Sequence, residues 1–310
     1  MARRRKGEPV HGWLAVDKPQ GMTSAAVVGR LKRWTRAAKV GHAGTLDPLA
    51  TGVLPLAFGE ATKTVSHAQE GRKRYRFEVR FGEGRETDDS EGAVTARSDA
   101  RPARPDLEAA LAGFRGLIWQ RPPVYSAIKS GGQRAYDLAR AGSPPDLAPR
   151  QVRIDALALL AVEAPAASAD RVDVAVLEAE VGKGFYVRAL ARDLGEALGV
   201  PAHVGTLRRL QVGAFTEDLA LPLDKLEEMC EKGALVPNLL PVETALDDIP
   251  ALALTGEQAN RLRAGQSVRV LRTPGLPEGE GDCYAVADGK PVALAQVRAG
   301  EMHPLRVFNL

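Results

Sequence analysis

Val40-Gly41-His42-Ala43-Gly44-Thr45-Leu46-Asp47-Pro48-Leu49-Ala50-Thr51-Gly52-Val53-Leu54 sets a single carboxylate among small residues and runs directly into an apolar stretch that ends at Phe58. Gly41, Gly44 and Gly52 permit backbone angles and close approaches that side chains forbid, and Pro48 biases Asp47 toward extended geometry. His42 and Thr45 add polar side chains beside the carboxylate. A Gly-rich connection with a turn-capping Asp would account for a shorter pattern. The length of this one, and its density of unusual residues, point to an active-site loop. The apolar run 53–58 reads as a buried strand, which places Asp47 next to a core element.

Upstream, Gly12-Trp13-Leu14-Ala15-Val16-Asp17 reads as a short strand ending in the turn Lys18-Pro19-Gln20-Gly21. A helix follows, with Ser24 as its expected N-cap and Val27, Val28, Leu31 and Trp34 at helical spacing; Arg30, Lys32, Arg33 and Arg36 remain for its outer faces. Downstream, Tyr75-Arg76-Phe77-Glu78-Val79-Arg80-Phe81 alternates cleanly, so Tyr75, Phe77, Val79 and Phe81 share one face of a strand. Residues 84–92 make a polar turn. Leu107, Leu111 and Phe114 mark a helix that opens at Pro105-Asp106. Residues 124–136, Val-Tyr-Ser-Ala-Ile-Lys-Ser-Gly-Gly-Gln-Arg-Ala-Tyr, mix cations with aromatics, a composition suited to an RNA-contacting insertion because aromatics stack on unpaired bases and cations track phosphates. Beyond a Pro-rich break at 144–149, residues 172–176 alternate as a strand. Val181-Gly182-Lys183-Gly184-Phe185-Tyr186-Val187-Arg188 then leads into a helix over 188–198, lined by Leu190, Ala191, Leu194 and Leu198. The block His203 to Leu210 ends in Arg208 and Arg209, two arginines suited to phosphate contacts.

Composition narrows the function classes. The chain has 310 residues, 45% of them hydrophobic, enough for two domains or one enlarged one. No segment approaches the roughly 20 apolar residues of a membrane span, and the basic Ala2-Arg3-Arg4-Arg5-Lys6 lacks a following apolar signal core, so a soluble, cytoplasmic protein is expected. Cys230 and Cys283 have no partner pattern, and the five histidines show no metal-ligand spacing. Neither a disulfide framework nor a metal site is expected. The net charge of +3 hides an asymmetry: residues 1–80 carry 16 Lys or Arg against 6 Asp or Glu (16 − 6 = +10), whereas residues 217–260 carry 2 against 10 (2 − 10 = −8). A basic first quarter suits a phosphate backbone. Past the Pro-bounded stretch 241–250 the pattern becomes strand-like, at 267–271, 284–287, 291–297 and 305–308. Turns at Pro274-Gly275 and Asp288-Gly289 complete the expectation of a small β-barrel.

Taken in order, these motifs resemble the TruB family, the bacterial tRNA pseudouridine 55 synthases, over nearly the whole length. Lys18-Pro19-Gln20-Gly21-Met22-Thr23-Ser24 matches the first family motif, Gly41 to Pro48 the signature with its aspartate, and Lys73-Arg74-Tyr75 the tyrosine motif. Lys183 to Gly195 and His203 to Arg209 match the later blocks. Two departures stand out: Arg85-Glu86 precedes Thr87-Asp88-Asp89 where relatives usually carry Thr-Asp, and Val181-Gly182 replaces a Cys-Ser-like pair. They bear on local packing only.

The resemblance implies an α+β fold: a mixed, mainly antiparallel central sheet with flanking helices (the pseudouridine synthase fold) in a catalytic domain over 1–245, with an RNA-contacting insertion near 123–150. Residues 246–310 would form a PUA-like RNA-binding β-barrel. It implies isomerisation of uridine 55 in the T-arm of tRNA by base flipping, glycosidic-bond cleavage and C-glycoside formation, by a monomer with no cofactor, metal or guide RNA. Asp47 would be the essential carboxylate; attack on the sugar, attack on the base and proton removal remain open as its role. Tyr75 would stack on the uracil, Arg188 pair with Asp47 and orient it, Tyr186 and Leu207 complete the pocket wall, and His42 fill the space left by the flipped base. Three other readings compete. They are a guide-RNA-dependent catalytic subunit, a noncatalytic RNA-binding or tRNA-folding protein, and a phosphate-loop enzyme, the last opposed by the absence of any Gly-x-x-x-x-Gly-Lys-[Ser/Thr] pattern.

Overall fold

A computed structural model describes residues 7–166, 168–271, 275–276 and 279–310. The basic stretch 3–6 and Pro274 lie outside them. Chain order begins with β1 (Gly12–Lys18), α1 (Ser24–Thr35), β2 (Val40–His42), β3 (Thr51–Phe58), α2 (Val65–Glu70) and β4 (Lys73–Phe81). A small hairpin, β5 (Glu83–Arg85) and β6 (Val94–Arg97), precedes α3 (Arg104–Ala112) and β7 (Gly116–Gln120). The insertion holds the short pair β8 (Lys129–Ser130) and β9 (Gln133–Arg134), then α4 (Ala135–Arg140). The long β10 (Arg150–Glu163) and β11 (Val174–Val181) lead to α5 (Val187–Ala197) and β12 (Ala202–Val212). β13 (Phe215–Thr216), β14 (Leu221–Pro222) and α6 (Leu223–Glu231) close this part.

The central sheet runs β14-β1-β3-β12-β4-β11-β10-β7, with β13 paired to β12 and β2 to β3. The β14/β1 and β3/β12 neighbours are parallel and the rest of that path is antiparallel, so the sheet is mixed and mainly antiparallel as expected. Its strands read as they do because of their neighbours. β4 lies between β12 and β11 and alternates, with Phe77, Val79 and Phe81 buried and Arg74, Arg76 and Arg80 exposed. β3 is covered on both faces and is buried from Gly52 to Phe58. One core joins the sheet to α1 through Val27 and Leu31, to α3 through Leu107 and Leu111, to α5 through Leu190 and Leu194, and to α6 through Leu226. Burial of each such side chain contributes roughly 1.5–3 kcal/mol.

Local details differ from the sequence reading in two places. Thr23, not Ser24, caps α1, accepting from the Ala26 amide at 3.1 Å, while Ser24 is the first helical residue and turns its hydroxyl inward. The His203 to Leu210 block, whose two arginines suit phosphate contacts by sequence, is β12, in the middle of the sheet.

After β15 (Ala251–Ala253) and α7 (Gly256–Arg263), the chain forms β16 (Val268–Arg269), β17 (Gly281–Ala287), β18 (Lys290–Arg298) and β19 (Glu301–Val307). These pair as β15-β17-β18-β19-β16, a curled half-barrel with its own core around Leu262, Val292 and Met302. A further apolar cluster joins it to the central sheet: Leu294 and Phe308 pack with Trp13, Ala57 and Phe215. The Trp13 indole N–H donates to Thr64 Oγ1 and to the Val242 carbonyl, both at 3.2 Å, so this buried tryptophan has its polar atom satisfied.

Candidate active site

The loop between β2 and β3 is held by its own backbone from two sides. From α1, the Ser24 hydroxyl accepts from the Leu46 amide at 2.8 Å and donates to the Leu46 carbonyl at 3.0 Å. From β12, the buried Arg209 donates from Nε to the Val53 carbonyl at 2.8 Å and from its terminal nitrogens to Gly44 at 3.0 Å and Thr45 at 3.5 Å. The close passage of β12 explains Gly52. Its φ is +98°, and a Cβ there would stand 2.2 Å from the Arg209 carbonyl oxygen. Just past Asp47, the Pro48 carbonyl accepts from the Gly21 amide at 2.8 Å and from Lys18 Nζ at 3.3 Å. Lys18 is wholly buried, and burial pushes its pKa down to about 8 against the opposing pull of Asp47. Asp47 is thereby fixed on a loop with few backbone freedoms left.

The Asp47 carboxylate meets α5. Arg188, in the first turn of that helix and 5% exposed, brings Nε to 3.0 Å from Asp47 Oδ2 and 3.5 Å from Asp89 Oδ2. Its other nitrogens donate to the Thr87 and Tyr125 carbonyls, each at 2.8 Å. A cation at a helix N-terminus opposes the helix dipole, so the two carboxylates offset both that cost and the cost of burial. They differ in what they leave free. Asp89 is 3% exposed and also accepts from Thr87 Oγ1 and the Glu91 amide, whereas Asp47 is 36% exposed with Arg188 as its one ion-pair partner among the described residues.

Beside Asp47 lies a cavity of about 270 Å³ whose wall includes Tyr75, Tyr186, Arg188 and Leu207. Tyr75 comes from β4 and Leu207 from β12, neighbouring strands. Tyr186 immediately precedes α5, where the Gln120 side chain grips its backbone: the Tyr186 amide donates to Oε1 at 2.9 Å, and Nε2 donates to the Tyr186 carbonyl at 3.1 Å. The Arg150 guanidinium stands 5.3 Å from the Tyr186 ring centroid and donates to the Gly184 carbonyl at 2.7 Å. Five of the six site residues named from sequence therefore converge on one cavity. His42 does not line it. It is half-buried in β2, its Nδ1 has no partner, and burial together with Arg209 depresses its pKa.

An aspartate facing a cavity with aromatic, aliphatic and polar walls is placed to act as a nucleophile or a base. Among the described residues no group of three or more His, Cys, Asp or Glu side chains is disposed to hold a metal ion. The sequence matches the model described as TruB family pseudouridylate synthase (N terminal domain) over residues 32–187 and the tRNA pseudouridylate synthase B C-terminal domain model over 188–247. The chain belongs to the TruB family.

TruB relatives of high similarity span the whole chain. The tRNA pseudouridine synthase B of Bradyrhizobium diazoefficiens is 54% identical, covering 99% of this chain and 88% of that protein, and that of Rhodospirillum rubrum is 51% identical with full coverage of both. The fold is shared with solved structures titled H/ACA RNP bound to a substrate RNA containing 2'-deoxyuridine (TM-score 0.73, 21% identity, 100% of this chain and 92% of that one) and Cbf5-Nop10-Gar1 complex (0.71, 23%, 100% and 90%). The TruB fold thus accounts for the layout, and pseudouridine synthesis is an isomerase chemistry.

Sequence reasoning missed several residues that build this site. Ser24 and Lys18, which stand in the first family motif without a role assigned at the site, and Gln120 act through backbone carbonyls and amides, so their site roles carry no residue-specific signal. Asp89 lies beside one of the family departures, yet its carboxylate reaches Arg188, and the hydroxyl of Tyr125 donates to Glu86. The two arginines read as phosphate contacts have other partners: Arg209 is buried under the loop, and Arg208 pairs with Asp17 at 3.0 Å and Glu217 at 2.6 Å.

Proposed function

We propose that this chain converts uridine 55 in the T-arm of tRNA to pseudouridine, as a cytoplasmic monomer that needs no guide RNA. The observation that carries the reading is the partly exposed Asp47 carboxylate, held at 3.0 Å by a buried arginine in the wall of a cavity bounded by Tyr75, Tyr186 and Leu207. The names of the curated relatives support tRNA as the substrate. At about 270 Å³ the cavity lies at the small end of ligand pockets, which suits one nucleoside rather than a longer segment.

A uridine inside a folded arm reaches such a cavity only after leaving its stack, at a cost of a few kcal/mol that stacking and inserted side chains offset. In the reaction the N1–C1′ bond breaks, C5–C1′ forms, the C5 proton leaves and N1 gains one, so the product is an isomer. Asp47 performs the essential step as nucleophile or base, Tyr75 stacks on the uracil and assists proton transfer, Tyr186 and Leu207 confine the ring, and Arg188 keeps the carboxylate in place. His42, on the strand leading into the loop, occupies the gap the base leaves. The insertion 123–150, with Arg134 and Arg140 over the Tyr136 ring at 5.9 and 5.6 Å, offers cations and an aromatic to the RNA.

The test is to incubate the protein with an unmodified tRNA transcript, without guide RNA, and map pseudouridine at each position. Modification at position 55 alone is the expected result. Modification only on adding a guide RNA would favour the guided reading, and none under either condition would favour an RNA-folding role.

A further inference from the structure

We infer that Ser126 is a substrate-contacting residue, its hydroxyl donating a hydrogen bond to a carbonyl oxygen of the flipped uracil; this rests on the reading of the cavity as a uridine pocket. Ser126 forms part of the same cavity wall as Asp47 and Tyr75. It is 3% exposed, and its Oγ has no hydrogen-bond partner. Buried hydroxyls are nearly always paired, because an unmet one costs about 1–3 kcal/mol. Here the cost is retained in a cavity wall where Asp47 and Arg188 are already paired with each other and Tyr75, Phe185, Tyr186, Val187 and Leu207 supply apolar surface.

The position of Ser126 is not left to chance. The preceding residue, Tyr125, gives its carbonyl to Arg188, the guanidinium that also holds Asp47. The Ser126 amide donates to the Val124 carbonyl at 3.0 Å, and the Ser126 carbonyl accepts from the Tyr136 amide at 3.1 Å. Both backbone groups are thus committed, and only the hydroxyl remains, on a single rotatable Cα–Cβ bond. Uracil brings two carbonyl acceptors and one N–H to its ring edge, while a serine hydroxyl both donates and accepts. One carboxylate for the chemistry and one hydroxyl for the ring edge, tied to one guanidinium, would register the base against Asp47.

The test compares wild type with Ser126→Ala by thermal melting, RNA binding and single-turnover pseudouridine formation on a tRNA transcript. Removing an unpaired hydroxyl should leave the melting temperature unchanged or raise it. Affinity for the whole RNA should stay within about threefold, because phosphate contacts dominate it. The single-turnover rate should fall by about tenfold or more, and Ser126→Thr, which keeps a hydroxyl, should recover part of the loss. An unchanged rate in Ser126→Ala would overturn the inference, as would a rate loss matched by a lower melting temperature, which marks a structural residue. If wild type itself makes no pseudouridine, the functional reading has failed rather than this assignment.

Discussion

At Asp47 the difference between holding a charge and using it rests on which partners each carboxylate has. Asp89 is saturated by Arg188, Thr87 and the Glu91 amide, while Asp47 keeps one side toward the cavity. Asp47→Asn should therefore fold normally, since Arg188 retains Asp89 and two carbonyls, and should bind a T-arm stem-loop within about threefold of wild type. Turnover, followed by tritium release from C5-labelled uridine, should drop by a thousandfold or more, within the usual range for losing an acid–base group (about 10²–10⁴) or beyond it. Near-normal release would remove Asp47 from the chemistry. Asp88 poses a different residue-scale question. Burial raises its carboxyl to about 6, partly opposed by Arg192 at 2.9 Å, and its φ of +60° is a backbone state that Asn adopts readily. Between about pH 4 and pH 6 the folded chain binds the extra proton, so the Asp88 contribution to stability falls as pH rises through that window. The stability of wild type minus that of Asp88→Asn, from melting curves at pH 4 to 7, should decline by on the order of 2 kcal/mol and then level off. A difference that grows with pH would mean the Arg192 pair outweighs burial.

Among elements, the loop from β2 to β3 depends on β12 more than on its own sequence. Gly52→Ala would force a Cβ to 2.2 Å from the Arg209 carbonyl at a φ of +98°. Strain and displacement together should lower stability by on the order of 3 kcal/mol. Because the Arg209 fingers to Gly44 and Thr45 move with β12, melting temperature and pseudouridine formation should fall together; Gly41→Ala, with open space around its Cβ, serves as the control. An unaffected melting temperature in Gly52→Ala would show that the strands can separate without cost. The same coupling marks where the sequence is legible. β4 announces itself by burying one face and α5 by the spacing of Leu190, Ala191 and Leu194, and the residues they carry or adjoin, Tyr75, Tyr186 and Arg188, stand in motifs at their ends. β12 gives no such signal: its Arg208 and Arg209 look like surface cations, because nothing local tells that a strand carries them into the middle of a sheet. The site roles of Ser24, Lys18 and Gln120 are illegible for a related reason, even though the first two stand in a family motif, as their partners are main-chain atoms brought close only by the tertiary fold.

For the molecule as a whole, the half-barrel is attached by an apolar patch, Leu294 and Phe308 against Trp13 and Phe215, which leaves its helix and edge strands to other contacts. Arg261 and Arg263 on α7 and Arg269 on β16 are exposed, and none of them is in an ion pair among the described residues. The asymmetry of charge along the chain gives these three a particular place. The basic first quarter includes the cavity loop, the acidic stretch 217–260 repels a phosphate backbone, and the three arginines restore positive charge beyond it. An RNA that reaches past the stem-loop would meet positive charge again at the half-barrel. Replacing the three together by Gln should lower the slope of log affinity against log salt for full-length tRNA by up to about 2.7, at about 0.9 for each duplex phosphate no longer neutralised. Affinity and slope for an isolated T-arm stem-loop should not change, nor should the single-turnover rate on either RNA, because the cavity lies in the central sheet. Filter binding or fluorescence anisotropy across a salt series measures both RNAs. Equal slopes for full-length tRNA before and after substitution would confine RNA binding to the surface around Asp47 and leave the half-barrel as a packing partner of Trp13.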